Sequence, residues 1–183
     1  SRGLGDVYKR QYWDSLTNNE MMTVDQRISR LHSVIDSAKL KKDDSWLSPE
    51  IDGTFNFDTP AEIMQALENS GSPWAMETLQ VLEKRSPLML HVSLRQIRLG
   101  RHMTLADELR LERTLVQHCF YMHHLKRTGA QTETVEGIRA LVIDKDHNPA
   151  WNPTCIEDVT SEMVDPFFVS PWTEANHPLD DLN

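Results

Sequence analysis

Leu105, Leu109, Val116, Cys119 and Phe120 recur at helical spacing, with Arg110, Glu112 and Arg113 on the other side. This predicts the chain's longest helix, opening at Thr104, with that apolar stripe buried against a partner. Val135, Ile138 and Val142 mark one face of a second helix from about Thr132 to Ile143, and Val24, Ile28, Leu31 and Ile35 mark an earlier one. Ile156, Val159 and Met163 predict a short last helix after Pro153, followed by a polar, proline-broken tail, SPWTEANHPLDDLN, that is expected to fray. No stretch alternates with period two over a full strand, so the chain reads as all-α.

Local signals sharpen the boundaries. Thr59-Pro60-Ala61-Glu62 combines an N-cap hydroxyl, a proline at the first helical position and a carboxylate that can reach back to the cap amide. The helix it starts runs to about Asn69 and is closed by Gly71. Ser72-Pro73 and Ser86-Pro87 repeat the device, predicting helices near 73–85 and 87–99, the second ended by Gly100 with Arg98, Arg101 and His102 near its C-terminal end. The run KLKKDDS reads as a solvated link after the first helix.

Charge narrows the function. The 183 residues carry a formal −9. Back-translated, Ser1–Gln11 spells a transposase mosaic end with its adapter, so residues 1–11 read as a sequencing scar, and Tyr12 as an arbitrary break inside a longer gene. Without those residues the charge is −11. Such a surface suits neither nucleic acid nor an anionic membrane, and no apolar run is long enough to span one. Cys119 and Cys155 are too few for a disulfide framework and are not arranged as a CxxC pair, which points to a reducing compartment. The expected division is 1–11 scar, 12–46 amphipathic helix and charged linker, 47–168 helical region, 169–183 polar tail.

Candidate chemistry is sparse. In HCFYMHHLKR, Cys119 and His123 share a helical face near His118 and His124, but no second Cys or His pair follows at zinc-finger spacing. A core cysteine and a histidine-rich helix end is the reading taken, and no metal site is assigned. The isolated glycines offer no phosphate loop, and no G-x-S-x-G elbow is present. The carboxylates read as solvent-face residues, so no catalytic residue is assigned within this chain.

Two segments bear a resemblance: RSPLMLHVSLRQIRLGRHMTLADELRLERTLVQ and VEGIRALVIDKDHNPAWNP. Together they resemble the C-terminal region of the 3-hydroxyisobutyryl-CoA hydrolase branch of the crotonase (enoyl-CoA hydratase/isomerase) superfamily, nearly continuously from Asp58 to Pro153. The resemblance implies the helical C-terminal region of a crotonase-type fold, whose spiral of β-β-α units precedes it. It implies a thioester hydrolase of valine breakdown, using two backbone amides as an oxyanion hole and acidic residues that handle water, all upstream in the family. The chain alone is then expected to be inactive. Coenzyme A enters only as part of an acyl-CoA substrate, with no separate cofactor, and the N-terminal crotonase core is the expected partner. A homo-oligomer stays open. The family's terminal helix suggests Arg139 and Lys145 for CoA contact, against a structural reading of Arg139, Asp144 and Lys145 as ion pairs at a charged helix end. A bacterial source would put the protein in the cytoplasm, a eukaryotic one in mitochondria. Another crotonase-type hydratase or isomerase, or a non-catalytic helical interaction module, are the competing functions.

Overall fold

The computed structural model describes residues 23–37, 49–173 and 176–182. The adapter-like segment 1–11 and the link 39–45 lie outside the described residues. The chain divides into two compact units, Ser1–Leu47 and Ser48–Asn183. The first contains helix α1, Val24–Ser37, opened by Thr23 and Gln26, whose side chains each bond the other's backbone. The second is built of helices and turns, with no strand among the described residues.

In this second unit α2 spans Pro49–Phe55, α3 Pro60–Ser70, α4 Pro73–Glu83, α5 Pro87–Gly100 and α6 Leu105–Phe120. The proline-headed starts fall where the cap chemistry predicts. At α3 the Glu62 amide donates to the Thr59 hydroxyl (3.2 Å), while the Thr59 amide donates to the Glu62 carboxylate (2.9 Å). Gly71 closes the helix at φ 62°, returning its N–H to the Leu67 carbonyl. Thr59→Ala is expected to cost about 1 kcal/mol in urea denaturation, with Thr59→Ser close to wild type.

Gly100 plays a different part from the predicted helix stop. It is the last residue of α5, and a Cβ there would lie 2.9 Å from the Glu108 carboxylate. A side chain there would have to displace the flexible Glu108 carboxylate of α6, and the turn itself is made by right-handed Arg101.

Two apolar clusters form the core. Ile63, Leu67, Ala75 and Leu79 join α3 to α4. Leu88 and Val92 of α5, Leu111 and Leu115 of α6, Met122, Val164 and Phe167 form the larger one. Of the predicted α6 stripe, Cys119 packs against this cluster, and the rest is not covered by the described residues. Leu105, Val116 and Phe120 are 77%, 51% and 44% exposed, and the buried face holds Leu111, Thr114 and Leu115. Successive helical residues turn by about 100°, so the two faces are nearly opposite. The buried face escaped the pattern because it includes polar residues: Thr114 donates to the Arg110 carbonyl (3.1 Å), and His118 donates from Nε2 to the Val169 carbonyl (2.9 Å).

After α6 come single turns at His123–Leu125 and Gly129–Gln131, then α7, Glu133–Ile138, which passes into a π turn over Arg139–Ile143. A turn at Ile156–Asp158, helix α8 at Ser161–Val164 and a turn at Asp165–Phe168 replace the single short helix expected after Pro153. The tail also departs from expectation. Arg110 donates from Nε to the Leu179 carbonyl (3.0 Å) and to that of Leu182, Arg113 lies over the Trp172 ring, and His177 is buried against Trp172. Its described residues therefore pack on α6.

Candidate functional site

The Thr132 hydroxyl caps α7, accepting from the Val135 amide. Six residues beyond the start of α7, at Arg139, the ladder widens: the Asp144 amide reaches back to the Arg139 carbonyl (2.8 Å), the five-residue step of a π turn. Arg139 sits at that change of pitch. Its Nε and Nη2 donate to the two Glu136 oxygens (2.9 and 2.8 Å), and Nη1 donates to Asp144 (2.6 Å) and Asp146 (2.7 Å). A further bond goes from Nη2 to the Asn148 carbonyl (3.1 Å).

Three carboxylates on one guanidinium make a clamp between the helix and the loop after it. Glu136 also accepts the Ala150 amide and Asp146 the Asn148 amide. Gly137 completes the arrangement, since a Cβ there would meet the Trp151 ring at 3.3 Å, and the Trp151 indole donates to the Lys84 carbonyl (3.1 Å). The segment VEGIRALVIDKDHNPAWNP is therefore a structural unit whose Glu, Gly, Arg, Asp and Trp positions each have a partner. Asp144 and Arg139 form the ion pair that the structural reading expects. Lys145 is exposed, at φ 56°, and its ammonium joins none of these pairs. The structure therefore brings Arg139 together with acids and leaves Lys145 outside the cluster.

Hydrogen bonds from Arg139 hold the Glu136 and Asp146 carboxyls below their ordinary values of 4.5 and 3.8. Carboxyls depressed in the folded state contribute stability that is present above those ordinary values and is lost as pH falls through the lower folded ones. Amide exchange at Asn148 and Ala150 is thus expected to accelerate below about pH 4 relative to the α3 amides. Arg139→Gln should show the same fast exchange at neutral pH.

A buried carboxylate that the sequence reading placed on solvent lies one turn earlier. Glu133 accepts from the Ser86 hydroxyl and the Asn152 amide (3.1 Å), with the Arg127 guanidinium at 3.5 Å. Burial pushes its carboxyl up, against the lowering effect of Ser86, Asn152 and Arg127. Ser86 also caps α5, accepting from the Met89 amide, so one side chain couples two helix starts. The only sequence signal is its position immediately after the Thr132 cap.

The histidine-rich segment braces the chain end. His124 donates from Nε2 to the Met163 carbonyl (3.1 Å), and its ring stands edge-on to Phe167. Burial raises the Cys119 thiol pKa, partly opposed by its bond to Thr134. Among the described residues no three His, Cys, Asp or Glu side chains are grouped to hold a metal, and no helix is long and apolar enough to cross a membrane.

Apolar side chains are left bare on two elements: Ile138, Leu141, Val142 and Ile143 around the π turn, and the Leu105–Val116–Phe120 stripe of α6. A contiguous exposed apolar face is the usual mark of a surface that another element covers.

Comparison with known proteins gives the lineage. The model of the enoyl-CoA hydratase/isomerase family matches residues 4–168, a range that begins inside the adapter-like segment. The chain is 35% identical over 144 residues to the mitochondrial 3-hydroxyisobutyryl-CoA hydrolase of Rattus norvegicus, covering 76% of this chain and 35% of the relative. It is 42% identical over 122 residues to a probable 3-hydroxyisobutyryl-CoA hydrolase 2 of Arabidopsis thaliana, covering 64% and 31%. A crystal structure of a carnitinyl-CoA dehydratase from Mycobacterium thermoresistibile superposes with a TM-score of 0.56 at 31% identity, over 68% of this chain and 33% of that one. The chain thus spans about a third of the length of these relatives. With the motif residues seated in one clamp and the family model matching across most of its length, the chain belongs to the enoyl-CoA hydratase/isomerase family.

Proposed function

We propose that this chain is the helical C-terminal part of an acyl-CoA thioester hydrolase acting on 3-hydroxyisobutyryl-CoA, a step of valine breakdown. The observation that carries the reading is the name shared by its curated relatives, from rat to plant, at 35% to 42% identity. In this reading the oxyanion hole and the acidic residues belong to the part of the family fold outside the third that this chain spans. The bare faces of α6 and of the π turn are where that core seats. The chain supplies scaffold, and the chemistry comes with the core. The structural likeness to a carnitinyl-CoA dehydratase favours a second reading, a hydratase or dehydratase of the same family. Joining the chain to its upstream gene segment and assaying free thiol release from 3-hydroxyisobutyryl-CoA, beside water addition to an enoyl-CoA, tests one against the other.

A further inference from the structure

Along α5, His91, Arg95 and Arg98 stand at intervals of four and three residues, which puts them on one face of the helix, and His102 follows in the turn after its end. This face lines a groove of about 660 Å3, closed by the Asp58–Pro60 cap on one side and by residues from Val159 to Asp165 on the other. The groove gathers two guanidiniums and two imidazoles opposite the carboxylates of Asp58 and Asp165.

The two guanidiniums are held lightly. Arg95 pairs with Asp165 and lies 4.4 Å from the centre of the Phe168 ring, while Arg98 donates to Asp58 (3.1 Å) and to the Phe57 and Asp58 carbonyls. The Asp58 side chain is 95% exposed and that of Asp165 59% exposed, so each pair is a surface pair worth little. Arg139, by contrast, is shared by three carboxylates. His91 lines the same groove, its Nε2 buried and unpartnered among the described residues.

We propose that this groove is a binding site for a dianionic phosphate group, held by Arg95 and Arg98 with His91 and His102 beside them. A carboxylate would exchange one singly charged acid for another and gain nothing over Asp58 or Asp165. A phosphate has three oxygens and a second charge, so it bridges both guanidinium forks and leaves an oxygen for the imidazoles. Burial pushes the His91 imidazole toward its neutral form, partly opposed by its bond to the Ile156 backbone, and a bound dianion would oppose that burial effect and favour a donor at Nε2. The other titratable and charged groups lining the groove are Asp58, Arg95, Arg98, His102 and Asp165. The proposal rests on the groove alone and is independent of which acyl-CoA reaction the whole protein performs.

Titrating the full 183-residue chain with inorganic phosphate, followed by calorimetry and by the His91 and His102 ring signals in NMR, tests it. Saturable binding at one site is expected, with both histidine signals moving. Arg95→Gln and Arg98→Gln should each weaken it by about tenfold, the loss of one charge-assisted bond. Lys145→Gln, at the helix end that the family resemblance sets against CoA, should leave it within about twofold. Because Arg95 also packs on Phe168, circular dichroism checks that its variant folds, and Arg98→Gln, which touches only the Asp58 cap region, carries the test if it does not. Competition then separates the sources of phosphate. Displacement by coenzyme A but not by pantetheine, which has no phosphate, supports a CoA-borne group, and phosphate binding without displacement by coenzyme A supports another phosphate ligand. No saturable binding, equal displacement by pantetheine, or unchanged affinity in Arg98→Gln would overturn the proposal.

Discussion

Incubated with 3-hydroxyisobutyryl-CoA, this chain alone is expected to release free thiol no faster than buffer, and joining it to its upstream gene segment is expected to raise the rate by several orders of magnitude. Thioester hydrolysis needs donors preorganised around the oxygen on which negative charge develops. Loss of even one such donor costs about 2.7–4 kcal/mol in enzymes where it has been removed, so if the whole set belongs to the core, as proposed, only background chemistry is expected of this chain. Within the described residues the Arg139 guanidinium is engaged on three carboxylates, the Ser86 hydroxyl on Glu133, and the His118 and His124 rings on backbone carbonyls. An enzymatic rate from the chain alone would overturn the assignment of the chemistry to the core. A joined protein that adds water to an enoyl-CoA and leaves the thioester intact would make it a hydratase.

Glu133→Ala is expected to destabilise the second unit by about 3–5 kcal/mol, the range for removing one partner of a buried ion pair. The substitution leaves Arg127, only 12% exposed at its side chain, beside an empty acceptor position, and strips the Ser86 hydroxyl and the Asn152 amide of their partner. For a chain of this length that is a fall of about 10 °C in Tm, measurable by calorimetry. Glu133→Gln keeps an acceptor and should lose less. Its deficit should also depend on pH with a definite sign. Burial raises the folded Glu133 carboxyl above its ordinary 4.5, so the stability linked to its protonation is fully present below that value and is lost as pH rises through the higher folded one. Glutamine, which imitates the protonated acid, has no such loss, and its deficit should shrink on going from pH 4 to pH 7. A deficit that widens over this interval would mean that the ionised pair with Arg127 outweighs burial.

Much of the helical outline is legible in the chain itself. The starts of α3, α4, α5 and α6 follow from Thr59, Ser72, Ser86 and Thr104, because a cap hydroxyl acts on an amide three residues away and a proline on its own φ angle. Family membership is legible for a related reason, since the Glu136–Trp151 segment closes most of its contacts within itself. What only the tertiary structure decided are the features that depend on partners distant in sequence. Which face of α6 is buried is set by Leu88, Val92 and Phe167, and the apolar stripe that looked like a core is left on the surface. Glu133 could pass for a solvent carboxylate until Ser86, 47 residues away, donates to it. The tail, polar enough to predict fraying, is held because Arg110, 69 residues from Leu179, takes its carbonyl. Cap chemistry spans one helical turn and can be read in four letters; burial is a property of the elements that meet, and a chain acquires it only when distant segments come together.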